Sequence, residues 1–237
     1  ARLFQAEGQA AAARSVLEKT REQAVQQQYH ELLPNISASL VQGALLTGDA
    51  DALRAWVEDS SVDEHEPFFI TSRFLLMQKA RVYAALGRTM EAFHCLDVME
   101  HYAAICGRTY LHIEMTVLRA ILLYRRDEPW RETLQEAVET AAQFRLVRVL
   151  ADQGAALLPL WKELMAQKPP NLPPKYLPVV DKELRRMAVL YPAYLSVPKT
   201  YGSLTDKETE VRRMMADGLN NTEIAKAMGA KRGTVKF

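Results

Sequence analysis

The chain has 237 residues, 49% of them hydrophobic and 25% charged. That balance excludes a disordered or fibrous protein and allows one large domain or two smaller ones. With 30 basic and 29 acidic side chains the formal charge is +1, so a strong whole-protein field is excluded and any nucleic-acid contact needs a local basic surface.

Apolar residues recur at helical spacing and strand-like alternation is nearly absent, which predicts an all-α fold. The first helical pattern ends in Leu-Phe-Gln-Ala-Glu-Gly8, and an Ala-rich amphipathic segment from Ala10 to Leu17 follows. The same succession returns at Leu-Leu-Thr-Gly48 before Ala52 to Val57, and at Tyr-Ala-Ala-Leu-Gly87 before Glu91 to Leu96. Asp127 in Leu-Leu-Tyr-Arg-Arg-Asp127 continues the series. Between these turns, Leu75, Leu76, Val82, Tyr83 and Leu86 mark one helix face. Ala92, Leu96, Met99, Ala103 and Cys106 mark the next, and Leu111, Met115, Leu118 and Leu122 a third. Met77, Ala80 and Ala84 lie off the main stripe, as expected of a helix packed on two sides.

A helix, a turn that accepts positive φ and an antiparallel helix make one hairpin, and the spacing of about 40 residues predicts a stack of hairpins. One hairpin cannot bury its own apolar face, so the units are expected to form a tetratricopeptide-like superhelix. Antiparallel helices of similar length without a repeat would share the apolar pattern but not the turns in step with it.

Lys168-Pro-Pro-Asn-Leu-Pro-Pro174 interrupts the array, because its prolines cannot continue a helix. One more helix is expected from Lys175 to Leu190, with Leu177, Val180, Leu184 and Met187 on a face; Pro192 and Pro198 then break the chain again. The predicted division is a repeat domain over 1–167, a Pro-rich linker with one helix over 168–203, and a separate module over 204–237.

That module opens on Thr205 and Glu208 in capping-box spacing, with Val211, Met214 and Met215 on the buried face and Gly218 at the end. Asn220-Asn-Thr-Glu223 repeats the device before Ile224, Ala225 and Met228, and a Gly229-Ala230 turn leads to Lys231-Arg-Gly-Thr-Val-Lys-Phe237. Two capped helices, a tight turn and a basic third helix predict a helix-turn-helix. Leu204-Thr205, Glu208, Glu210-Val211, Gly218-Leu219, Asn221, Glu223-Ile224-Ala225, Met228 and Thr234-Val235-Lys236 resemble the LuxR/FixJ signature position by position.

The resemblance implies that the helix from Lys231 enters the major groove of promoter DNA. Lys236 and Phe237 stand where the family faces base edges or adjoining backbone, and Thr234 stands near phosphate. Lys231 and Arg232 complete a local cluster of three cations with Lys236. Two positions depart from the family: Lys231 replaces the usual capping Ser, and Gly233 weakens the first turn by about 1 kcal/mol relative to Ala. In the family the recognition helix runs on past the position of Phe237 to a fourth, dimer-forming helix, so the resemblance implies a homodimer or larger assembly.

Helical repeats ahead of a LuxR-type module resemble the large regulators related to the maltose-regulon activator, and Phe144 to Leu164 looks like the close of that family's repeat region. The resemblance implies a sensor for a small-molecule effector or a regulatory protein, and a nucleotide-binding domain upstream of residue 1. This chain has no Gly-x-x-x-x-Gly-Lys-Ser/Thr phosphate loop, so no cofactor is expected in it. Trp56, Tyr83, Tyr102, Tyr124 and Trp130 are the candidate effector contacts; the same aromatics would equally serve as inter-helix core.

His94, Cys95, His101, Cys106 and His112 match no zinc spacing, and no nucleophile or paired-carboxylate arrangement stands out, so neither a metal site nor an enzyme is expected. The two cysteines, without a secretory leader, read as reduced, buried thiols in a cytoplasmic protein, and no apolar run reaches membrane-spanning length. Ala1 and Phe237 both stand inside helical patterns, so the chain is expected to be part of a longer protein. The competing function is a helical-repeat interaction scaffold in which the C-terminal helices merely cap the stack.

Overall fold

The computed structural model describes residues 1–59, 73–167, 172–195, 214 and 226–228, without the side chains of 101, 102 and 104. The chain divides into two compact units, Ala1–Val197 and Pro198–Phe237. In the second unit the described residues are Met214, which is helical, and Lys226 and Ala227, helical and ending in a turn at Met228.

The first unit is built of helices α1 (Arg2–Ala6), α2 (Ala10–Gln26), α3 (Leu33–Thr47), α4 (Ala50–Asp59), α5 (Arg73–Ala85), α6 (Thr89–Cys106), α7 (Thr109–Arg125), α8 (Arg131–Gln143), α9 (Arg148–Ala151), α10 (Gly154–Ala166) and α11 (Tyr176–Leu190). A single 3-10 turn over His30–Leu32 precedes α3, and no strand occurs among the described residues.

The turns repeat one device. Gly8, Gly48, Gly87 and Asp127, the four turn residues expected from the sequence, all have left-handed backbone, and so do Gln28, Gly107 and Arg145 at the opposite ends of the hairpins. Just past each left-handed residue, an N–H reaches back five residues. The pairs are Gln9 to Phe4 (2.8 Å), Tyr29 to Ala24 (2.8 Å), Asp49 to Ala44 (3.0 Å), Arg88 to Tyr83 (2.9 Å), Arg108 to Ala103 (3.1 Å), Glu128 to Leu123 (3.0 Å) and Leu146 to Ala141 (2.8 Å). This bond closes the helix by satisfying a carbonyl that would otherwise lack a partner. Asp49 does double duty, since its carboxylate also accepts the Ala52 N–H at 3.1 Å and caps α4.

Packing confirms two-sided helices. Leu111, Met115, Leu118 and Leu122 of α7 join a core made with α3, α4, α5 and α6. Ile113, Val117, Ala120 and Ile121 on its other side join a second core with α8, α9, α10 and α11. α5 is enclosed throughout, with every residue from Leu75 to Ala85 buried. Cys95 is buried as expected, whereas Cys106 is exposed. It is the last residue of α6, beside the exposed turn at Gly107, where the helix face no longer meets a neighbour.

The helix expected between the prolines is α11, and it belongs to the repeat body. Tyr176, Val180 and Leu184 sit in the second core, while Met187 and the following Tyr191, Tyr194 and Leu195 sit in the first. Prolines stop a helix but do not prevent the next one from packing. At its far end α11 meets the start of the chain: Arg186 donates to the Ala6 carbonyl at 2.7 Å and the Tyr191 hydroxyl to the Gln5 carbonyl at 2.6 Å. Among the described residues, the repeat body thus runs on through Leu195. No described helix is long and apolar enough to cross a membrane.

Candidate functional site

The first helix of each hairpin turns a polar stripe toward a shared cavity. Its walls come from α1, α3, α5, α7, α9 and α11, never from α2, α4, α6, α8 or α10, and it holds about 100 Å³. That volume fits several waters or one small molecule. Arg2, Gln42 and Arg81 line it from equivalent places, each six residues ahead of its turn glycine. Ser39 and Gln78 form a second equivalent pair one helical turn earlier.

Inside the cavity Arg81 and Glu114 form an ion pair at 2.8 Å, with side chains only 5% and 14% exposed. Burial alone would depress the Arg81 guanidinium, but Glu114 and its hydrogen bond hold it raised and fully charged. Arg148 pairs with Asp152 and reaches Glu183 at 3.5 Å. Burial nevertheless pushes the Asp152 carboxyl up, against the pull of Arg148, Arg2 and Arg81.

Opposite these charges stands an amide–phenol chain. The Tyr194 hydroxyl donates to Gln153 Oε1 at 3.3 Å, and Gln153 Nε2 donates to the Val149 carbonyl at 3.2 Å. Burial raises the Tyr194 hydroxyl, while a hydrogen bond from Gln42 works the other way. Four buried polar atoms of the cavity residues lack a hydrogen-bond partner: Gln42 Oε1, Gln78 Oε1, Arg81 Nε and Asp152 Oδ1, the last of them ion-paired with Arg148. Such atoms are rare in folded proteins, because each unmet group costs about 1–3 kcal/mol.

The aromatic candidates do not share one surface. Tyr83 is buried in the first core with the Arg88 guanidinium 4.5 Å from its ring, and Trp130 is buried in the second. Tyr124 meets Trp130 edge-on at 5.5 Å and donates to Glu163 at 3.2 Å. Trp56 is half-buried, donates to Ser37 Oγ at 2.9 Å and lines an open groove between α2, α3 and α4. The Tyr102 side chain lies outside the described residues, as do Lys231, Arg232, Thr234, Lys236 and Phe237.

Sequence reading missed Gln42, Gln78, Arg81, Glu114 and Asp152. A usable signal existed: the polar positions repeat in register with the turn glycines, inside helices that are otherwise apolar.

Comparison with known families accounts for both parts of the chain. A family model described as the MalT-like TPR region matches residues 1–167. One described as bacterial regulatory proteins, luxR family, matches residues 202–237. No curated protein and no solved structure matches the chain. The luxR match makes the C-terminal part a DNA-binding domain of a transcription regulator. Stacked hairpins closed by left-handed turns, followed by that domain, establish that the chain belongs to the MalT-like TPR family and carries a luxR-type helix-turn-helix.

Proposed function

We propose that the repeat body is the sensor of a signal-dependent transcription regulator and that the C-terminal module reads duplex promoter DNA in response. The observation that carries this is the coexistence of the two matched regions in one chain, over 1–167 and 202–237. A concave cavity with several convergent polar groups in the repeat body supports a sensing role, since effector sites have that form. A cytoplasmic location and a dimer or larger assembly go with this reading, as does a division in which residues from 204 onward form the reading module.

On the DNA side, Lys231, Arg232 and Lys236 supply the local basic surface that a total charge of +1 requires. Thr234 and the early amides of the same helix hold phosphate, and Lys236 with Phe237 approaches the bases. On the effector side, Trp56 is the aromatic candidate that borders an open groove. Tyr83, Tyr124 and Trp130 contribute by holding the helices that shape the sensor, and Tyr102 remains a candidate contact.

The test is equilibrium binding of full-length protein to promoter-length duplex DNA across a salt series. Affinity is expected to fall steeply with salt, and Lys231→Ala, which removes a cation of the basic cluster, to reduce the slope of log K against log salt by about 1. Binding that ignores salt, or that Lys236→Ala and Arg232→Ala leave unchanged, would favour an interaction scaffold instead.

A further inference from the structure

We infer that Tyr191–Leu195, the turn that closes the repeat body, is a latch that restrains the DNA-reading module through the connecting chain, with Tyr194 and Arg125 as its positioning residues. This rests on the proposed division into sensor and reader and assigns their coupling to named residues.

Three residues of this short turn are held by three different parts of the body. The Tyr191 hydroxyl donates to the Gln5 carbonyl of α1 at 2.6 Å. The Tyr194 hydroxyl reaches into the inner cavity, where it donates to Gln153 Oε1 at 3.3 Å and accepts from Gln42. The Leu195 carbonyl accepts from Arg125, the last residue of α7, whose other amino group donates to the Ala84 carbonyl at 2.8 Å. Ala84 lies on α5 three residues after Arg81 and six after Gln78, so one helix carries both the cavity wall and the clamp. Glu114, the partner of Arg81, likewise shares α7 with Arg125. A displacement of α5 or α7 at the cavity therefore reaches the Leu195 carbonyl through continuous helix, with no loop between.

The latch is held at a cost, which makes it reversible. Leu195 has φ +54°, a left-handed backbone that a leucine rarely adopts, while its side chain is fully buried. The Arg125 guanidinium is bound by carbonyl oxygens, and no carboxylate among the described residues offsets its burial. Against these costs stand the buried Leu195 side chain and the bonds from Tyr191, Tyr194 and Arg125, so the loss of one bond moves the balance between held and released turn. The luxR-type match begins at residue 202, seven positions after Leu195. Over so short a tether, a restraint at Leu195 lowers the share of module orientations that can engage DNA, and apparent affinity falls with that share.

The experiment measures binding of full-length protein to promoter-length duplex DNA by fluorescence anisotropy, with Tyr194→Phe, Arg125→Lys and Tyr176→Phe beside the parent protein. Tyr194→Phe removes the hydroxyl and keeps the buried ring. Arg125→Lys keeps the charge and loses the planar fork that spans two carbonyls. Each is expected to raise DNA affinity about fivefold, the scale of one net hydrogen bond. The double variant should gain less than the product of the two, because affinity saturates once the latch is open. Tyr176→Phe removes a comparable bond, from the Tyr176 hydroxyl to the Leu146 carbonyl at 2.8 Å, and is expected to leave affinity unchanged. Hydrogen exchange should quicken at the amides of 191–195 in the first two variants only. Should Arg125→Lys fail to fold, Tyr194→Phe against Tyr176→Phe carries the comparison. Affinity that Tyr194→Phe leaves unchanged or lowers, or that Tyr176→Phe raises equally, would overturn the latch while the regulator reading stands. Parent protein without salt-dependent DNA binding would overturn that reading and the latch with it.

Discussion

The Tyr191 hydroxyl donates to the backbone carbonyl of Gln5 at 2.6 Å, across 186 positions of sequence. Together with the bond from Arg186 to Ala6 it fastens the last helix of the body to the first. Tyr191→Phe removes one buried hydrogen bond and leaves a carbonyl exposed to a partly apolar setting. A loss of about 1 kcal/mol is expected in urea unfolding, with faster hydrogen exchange confined to the amides of α1.

Arg125 makes a second long-range tie. Its guanidinium donates to the carbonyl of Ala84 at 2.8 Å and to that of Leu195, and burial lowers its pKa without a carboxylate to offset the cost. Arg125→Met fills the space but strands both acceptors. A stability loss of about 2–3 kcal/mol should appear in chemical denaturation, because hydrogen bonds from charged groups are the stronger kind. Tyr194, next to the clamped Leu195, should lose its fluorescence protection first.

Two glycines separate backbone freedom from space. Gly107 has φ +57° with nothing within 4 Å of an added Cβ, so Gly107→Ala carries only the left-handed penalty of about 1 kcal/mol. Gly154 has φ +43°, and a Cβ there would lie 3.3 Å from the Met187 backbone, where α10 meets α11. Backbone cannot step aside as a side chain can. Gly154→Ala should therefore lower Tm clearly more than Gly107→Ala in the same scan.

Asp152 and Asp181 should respond to pH with opposite signs. Burial raises the Asp152 carboxyl above its ordinary 3.8. The folded state then binds the proton more tightly than the unfolded state, and stability falls as pH rises from 3.8 through the raised value. Asp152→Asn is expected to stabilise at neutral pH, the gain vanishing below pH 3.8. Asp181 is lowered by its bond from Arg185 and, further down, by the Trp161 N–H. Its contribution is present above 3.8 and disappears as pH falls through the depressed value, so Asp181→Asn should destabilise at neutral pH only. Paired Tm-against-pH curves decide both.

Much of this architecture was legible because turns and apolar stripes are local signals. Gly8, Gly48, Gly87 and Asp127 could be aligned on spacing, and each proved left-handed. Gln28 and Arg145 hold the same backbone without glycine, so nothing in their residue type announced them. The packing of α11 was hidden by the prolines before it, which mark a break in helix and carry no information on tertiary contact. The cavity was hidden for a deeper reason. Residue type gives no sign that Gln78 and Arg81 are inward, yet both lie in the stretch of α5 from Leu75 to Ala85 that is buried throughout. Only the superhelical arrangement brings Arg2, Gln42 and Arg81 from three hairpins to one place. The DNA-reading residues from Lys231 to Phe237 were recognised by motif and lie outside the described residues.

The ties from α11 to α1 also constrain how such a protein can change over evolutionary time. An open solenoid lengthens by duplicating a unit, since each new hairpin needs only its neighbour. Here α11 touches α1 through Tyr191 and Arg186, so a hairpin inserted between them would break both ties. An added hairpin between them therefore carries a cost that an open stack would not impose. Diversification is expected to proceed by exchanging residues at the six-before-glycine positions, with the count of hairpins held constant.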